Sequence, residues 1–178
     1  MFKFSNKHIT IAGTADAATI TALLNSAYRG ETAKLGWTHE ADLIAGDTRT
    51  NESSLLQLID LPGSIVVKFT NDQNQIIGCV NLQQHENKLY LGMLSVAPHL
   101  QGGGTGKQLL NAAEEYAQHL NCRSIYMTVI TLRSKLIDWY QRHGYEDTDE
   151  RKVFIEDNLT GKHLTQLEFM TLEKEIPG

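Results

Sequence analysis

Apolar side chains change their spacing several times along the chain, and each change predicts an element. Residues 8–13 (HITIAG) read as a short strand. Thr14 then reads as an N-cap that opens a helix to about Tyr28, with Ile20, Leu23, Leu24 and Ala27 on one face. Residues 30–51 are polar and irregular, and a second helix is predicted over 52–60. After the Pro62-Gly63 break come three predicted strands, 64–70, 75–84 and 88–96. They are separated by NDQN and HENK, polar sequences of hairpin length, so an antiparallel meander is expected. From Thr105 the period lengthens. Leu109, Leu110, Ala113, Tyr116, Ala117 and Leu120 recur at three- and four-residue intervals, predicting an amphipathic helix to about His119. A strand over 124–130 follows, then a helix over 133–143 that Gly144 is suited to end. Two last strands are expected near 151–156 and 164–174. This order implies an α/β (α+β) chain, with helices packed on a mixed sheet.

The length of 178 residues fits one domain, taken as 1–178. No apolar run approaches the roughly 18 residues of a membrane span, and the first 13 residues hold no continuous apolar stretch of the kind a cleaved secretory leader needs. A net charge of −5 argues against a nucleic-acid partner, because gripping phosphate backbones takes a basic face. Cys79 and Cys122 lack metal-ligand spacing and read as small buried hydrophobes in a reducing compartment, so a cytoplasmic protein without a structural metal is expected.

The segment LSVAPHLQGGGTGKQLL, residues 94–110, carries the chemistry. A strand runs through Pro98 into a turn holding Gly102, Gly103, Gly104 and Gly106, and a helix starts there. Glycines let successive N–H groups converge on one point, and the helix start adds its own unpaired donors and the positive end of its dipole. Such a site suits phosphate. Lys107 in the first turn opposes the dipole by itself, and a bound polyanion would offset that. The nucleoside-triphosphatase pattern GxxxxGK[ST] fails, because its first glycine falls on Gln101 and its last position on Gln108. The dinucleotide pattern GxGxxG fails from Gly102 and from Gly104, ending on Lys107 and Leu109.

The pattern that fits is Gln/Arg-x-x-Gly-x-Gly/Ala, met by Gln101, Gly104 and Gly106. With Leu94-Ser95-Val96-Ala97-Pro98 before it and WYQRHGY (139–145) after it, the chain resembles the GNAT superfamily of acetyl-CoA-dependent N-acetyltransferases over roughly residues 64–146. The resemblance implies a mostly antiparallel central sheet flanked by helices, with acetyl-CoA as co-substrate. It implies a pyrophosphate cradle at Gln101, Gly102, Gly103, Gly104, Thr105, Gly106 and Lys107, and pantetheine contacts from the backbone of Leu94, Ser95 and Val96. It also places Tyr140 near the thioester sulfur as general acid, a sensible role for a phenol beside a leaving thiolate. Where the family often has Asn, this chain has Arg133, whose fork suits a coenzyme A phosphate or a substrate carboxylate, or simply solvent.

The base is not legible in the sequence; Glu40, Asp42 and His143 are candidates. The segment GWTHEADLIAGDTRT, with Trp37, His39 and Arg49, is expected to form a substrate wall. The implied function is acetyl transfer from acetyl-CoA to a primary amine, small-molecule or peptide, by direct attack in a ternary complex. The alternatives are a non-catalytic acyl-CoA-binding module and, less in keeping with the failed motifs, another phosphate binder such as a nucleotide hydrolase. The oligomeric state is open, a homodimer included.

Overall fold

The computed structural model describes residues 1–178. Its strands are β1 (Ile9–Ile11), β2 (Ser64–Thr70), β3 (Ile76–His85), β4 (Lys88–Val96), β5 (Ser124–Ile130), β6 (Glu146–Val153) and β7 (Glu168–Glu175). Its helices are α1 (Ala17–Tyr28), α2 (Gly30–Ala33), α3 (Glu52–Asp60), α4 (Thr105–His119) and α5 (Ser134–Arg142), with 3-10 turns at Thr14–Asp16 and Pro98–Leu100. The strands form one sheet in the order β1-β2-β3-β4-β5-β7-β6, antiparallel throughout except for β4 with β5. No helix is long and apolar enough to cross a membrane.

The meander has the expected hairpin connections, and α3 begins where Asn51 caps it: Ser54 N donates to Asn51 Oδ1 at 2.7 Å. Both faces of the central strands are buried. Val66 and Cys79 belong to a cluster with Ile20, Leu24 and Leu55 from α1 and α3. Their neighbours Val67 and Val80 belong to the larger cluster containing Leu109, Leu110 and Ala113 of α4. Adjacent residues thus serve opposite layers, as the period of two requires. Cys79 and Cys122 are buried free thiols, and burial pushes the Cys79 thiol up to about 12.

Three expectations change. The helix predicted from Thr14 starts instead with a 3-10 turn and becomes α-helical at Ala17; Gly13 N donates to Asp16 Oδ2 at 2.9 Å, so Asp16 secures the entry. The polar segment 30–51, expected to be irregular, contains α2, a single helical turn. The strand expected near 151–156 lies earlier, at Glu146–Val153. Its sequence, EDTDERKV, is an exposed edge with no apolar alternation, and charged edge residues disfavour further strand pairing.

Two features of the sheet make the site. β4 and β5 pair through only Lys88↔Ser124, Leu89↔Ile125 and Tyr90↔Tyr126 and then part. The parting coincides with a bulge: Asn81 faces Gly92 and Cys79 faces Ser95, and Met93 between them has φ 55°. An extra residue on one strand bends it and sharpens its twist, which turns Leu94–Val96 away from β5. The loop after β6 then folds back over residues 43–45. Ala45 N donates to Lys162 O (2.8 Å), Leu164 N donates to Leu43 O (2.9 Å), and Ile44 bridges His163. Gly161 sits inside this zipper at φ +100°, where a Cβ would lie 2.1 Å from Ala45 O. Gly161→Ala is expected to cost more than the roughly 1–2 kcal/mol of left-handed strain alone. Urea unfolding measures this, and an unchanged midpoint would show that the zipper does not constrain the loop.

Candidate active site

The glycine turn leads directly into α4. Gly102 and Gly104 take φ +89° and +88°, and Gly104 is the N-cap. Residues with a side chain rarely adopt that backbone. The N–H groups of residues 101–107 donate to no acceptor in the protein; the first bond of the new helix is Gln108 N to Gly104 O at 3.1 Å. Backbone donors left free around a helix start form an anion site.

These groups border a cavity of about 260 Å³. Of the residues singled out from sequence, Leu94, Ser95, Val96, Gln101, Gly102, Gly104, Thr105, Gly106, Lys107, Arg133 and Tyr140 line it, and Gly103 does not. Lys107 is exposed and forms no ion pair. A Cβ on Gly106 would lie 3.3 Å from the Trp139 ring, so this glycine allows α4 to approach α5. Gln101 turns its side chain inward. Its Oε1 accepts from Trp37 N (2.8 Å) and Thr38 N (3.3 Å), and its Nε2 donates to Val96 O (3.0 Å). The amide therefore ties the 37–38 segment to the end of β4.

Tyr140 projects from the buried face of α5, beside Leu136 and Ile137. It is 5% exposed, and its hydroxyl has no hydrogen-bond partner in the protein. Burial pushes its phenol far above the usual range; Tyr28 adds to this and the Arg133 guanidinium opposes it. Tyr140 therefore keeps its proton at any working pH.

A second cavity, of about 310 Å³, adjoins the first. Tyr28, Leu94, Arg133, Leu136 and Tyr140 line both. The second is further bordered by Arg29, Glu40, Arg49 and Asp157 among others. Glu40 is held from both sides: Arg29 Nη1 bonds its Oε1, and Arg133 Nη1 bonds its Oε2 at 3.2 Å. Arg133 Nη2 also donates to Thr38 O, so this residue braces the wall between the cavities. Tyr28 Oη donates to Leu94 O at 2.6 Å, at the strand position expected to meet pantetheine. Burial raises the Tyr28 phenol too, against the pull of Arg133 and Arg49.

The polar segment 30–51 divides between the two cavities. Trp37 and Thr38 border the first, and Glu40 and Arg49 the second. His39 and Asp42 border neither. His143 lines the first cavity, with Nδ1 2.7 Å from Trp139 O. Tyr28 and Arg29 were not singled out from sequence. The only available signal was their position at the end of the α1 face defined by Ile20, Leu24 and Ala27. No group of three or more His, Cys, Asp or Glu side chains is placed to hold a metal ion.

The family model for the acetyltransferase (GNAT) family matches residues 22–145, from within α1 to just past the end of α5. The chain belongs to the GNAT family. Acetyl-CoA-dependent acetylation, with acetyl-CoA as co-substrate, comes with that membership. No curated protein matches the sequence of this GNAT chain. Solved structures match its fold over nearly its whole length. A protein assigned as a phosphinothricin N-acetyltransferase aligns at TM-score 0.73 and 12% identity, over 96% of this chain and 98% of its own. The ribosomal-protein-S18-alanine N-acetyltransferase of Escherichia coli aligns at 0.70 and 12%, over 96% and 94%. A Salmonella typhimurium protein assigned as an acetyltransferase, solved with its cofactor acetyl-CoA, aligns at 0.68 and 18%, over 98% and 96%. At these identities the likeness speaks for the GNAT fold alone.

Proposed function

We propose that the protein transfers the acetyl group of acetyl-CoA to a primary amine by direct attack while both are bound. The observation that carries this reading is the junction of the two cavities at Tyr140. One cavity has free backbone donors for a diphosphate, the other has room for a small acceptor, and of the two phenols that border both, Tyr28 is committed to Leu94 O while the Tyr140 hydroxyl has no protein partner. Acetyl-CoA supplies an acetyl group activated as a thioester. The free N–H groups of 101–107 and Lys107 hold the diphosphate. The edge of β4 at Leu94–Val96, parted from β5, lies open to an extended amide chain, with Leu94 O and Val96 O already accepting from Tyr28 Oη and Gln101 Nε2. Tyr140 Oη holds a proton for the departing thiolate.

The acceptor must attack as the neutral amine. Glu40 has both oxygens engaged by guanidinium groups, Asp42 lies outside both cavities, and His143 lies on the cofactor side. None offers a free acceptor to the second cavity. Clustered arginines disfavour an ammonium there, so the cavity itself promotes the neutral form and water takes the proton. Glu40's engagement also favours the second reading, a module that binds acyl-CoA without turnover.

Coenzyme A at about 100 times its Kd is expected to stabilise the protein by roughly 2.7 kcal/mol. Thermal unfolding measures this, and a panel of amines with a thiol-reactive dye reads release of coenzyme A. No stabilisation would overturn the acetyl-CoA reading; stabilisation without acetylation of any amine would favour the binding module.

A further inference from the structure

The second cavity has more positive charge than its own carboxylates engage. Arg29, Arg49 and Arg133 line it, against Glu40 and Asp157. Glu40 is shared by Arg29 and Arg133. Asp157 is exposed, and its Oδ1 already accepts from Leu159 N, Thr160 N and Thr160 Oγ1. Arg29 is 2% exposed: Nη1 bonds Glu40 and Nε bonds Thr160 O at 3.3 Å, but Nη2 is buried without a partner. A buried guanidinium donor left unpaired is costly, so such groups normally have a partner. Arg49 has no side-chain hydrogen bond and no carboxylate within 4.0 Å, and its guanidinium lies 5.4 Å from the Tyr28 ring centre. Its backbone is nonetheless fixed: Asn25 Oδ1 accepts from Arg49 N (2.6 Å) and Thr50 N (3.0 Å), and Asn25 Nδ2 donates to Thr50 O (3.1 Å). Two cations with spare donors are thus held on one small cavity, in a chain whose net charge is −5.

We infer that the acceptor is a small amine carrying its own oxyanion, of the amino-acid type, with Arg49 as the residue that selects it and the buried Arg29 adding positive charge behind it. The oxyanion receives the spare Nη donors of Arg49, as forked guanidinium groups do for carboxylates and for phosphonates or phosphinates, and the fully enclosed Arg29 adds its charge from behind the wall. The amine then lies toward the wall formed by Tyr28, Leu94 and Tyr140, where the two cavities meet. A polyamine would bring a second positive charge into this cavity and meet repulsion instead.

This inference rests on the acetyltransferase reading, and its test separates the two. Acetylation is measured by release of coenzyme A for α- and ω-amino acids, their primary amides, the corresponding decarboxylated amines, aminophosphonates and spermidine. The acids are expected to exceed their amides by roughly tenfold or more in kcat/KM, with spermidine poorest. An amino-acid amide is the less basic amine, so its larger neutral fraction works against this result. The ratio of aminophosphonate to amino acid tells which oxyanion the fork prefers. Calorimetry of the preferred acid with the enzyme–coenzyme A complex gives binding without turnover, and Arg49→Gln is expected to weaken it about tenfold and to shrink the acid-to-amide ratio. Amides or spermidine used as well as acids, or an Arg49→Gln variant that keeps the full ratio, would overturn the inference while leaving acetyl transfer standing. Failure of coenzyme A to bind would overturn both.

Discussion

Tyr140→Phe is expected to lower kcat by about 10²–10⁴-fold, the usual range for loss of a general acid, and to leave coenzyme A affinity nearly unchanged. The separation follows from geometry. The hydroxyl bonds nothing in the protein, so its removal orphans no partner, and the ring keeps its packing beside Leu136 and Ile137. Stability should therefore hold. The pH profile adds a check on sign. A phenol loses its proton as pH rises through its pKa, and burial has moved that point far upward. The wild-type rate should therefore show no fall assignable to Tyr140 up to about pH 10, the ordinary phenol value. Single-turnover kinetics beside a coenzyme A titration measures both quantities. An unchanged kcat removes Tyr140 from proton transfer.

Glu40→Ala should produce the largest loss of stability. Its carboxylate is the shared partner of Arg29 and Arg133, all three less than a tenth exposed at their side chains. Removing it leaves two buried guanidinium groups facing each other, and breaking buried pairs in this way costs about 3–5 kcal/mol. At 2–4 °C per kcal/mol for a domain of this size, Tm should fall by roughly 6–20 °C. Glu40→Gln keeps one carbonyl acceptor and should lie between the two. If both variants melt with wild type, the arginines hold the wall by other means and the pairing is incidental.

The glycine turn with its free N–H groups is legible in sequence because such a turn requires backbone freedom, which glycine announces by residue type. The meander was legible because polar turns, NDQN and HENK, break its apolar runs at strand length, and α4 because burial of one face imposes a strict period. The rest depended on contacts distant in sequence. Nothing near Arg133 indicates that its partners are Glu40 and Thr38, and the resemblance to GNAT sequences pointed instead to cofactor, substrate or solvent. Gln101 satisfies the glycine-loop pattern, yet its side chain bonds Trp37 and Thr38, more than sixty residues earlier. The bulge at Met93 has no residue signature, since methionine has no preference for positive φ. The position of β6 is not legible, because a polar edge strand buries no face and so shows no period to read. Sequence marks Arg49 as a wall residue beside Trp37 and His39, but nothing in it shows that Asn25, on α1, fixes the Arg49 backbone.

The Gln101 strut has a consequence for how this sequence can drift. A Cβ at Gly36 would fall 2.3–2.7 Å from the Gln101 amide, so the two sites fill one another's space. Neither is free to mutate by itself: a larger side chain at 36 requires a shorter or redirected one at 101. Across the lineage of this chain the two positions should therefore change together, although neither touches the atoms that react.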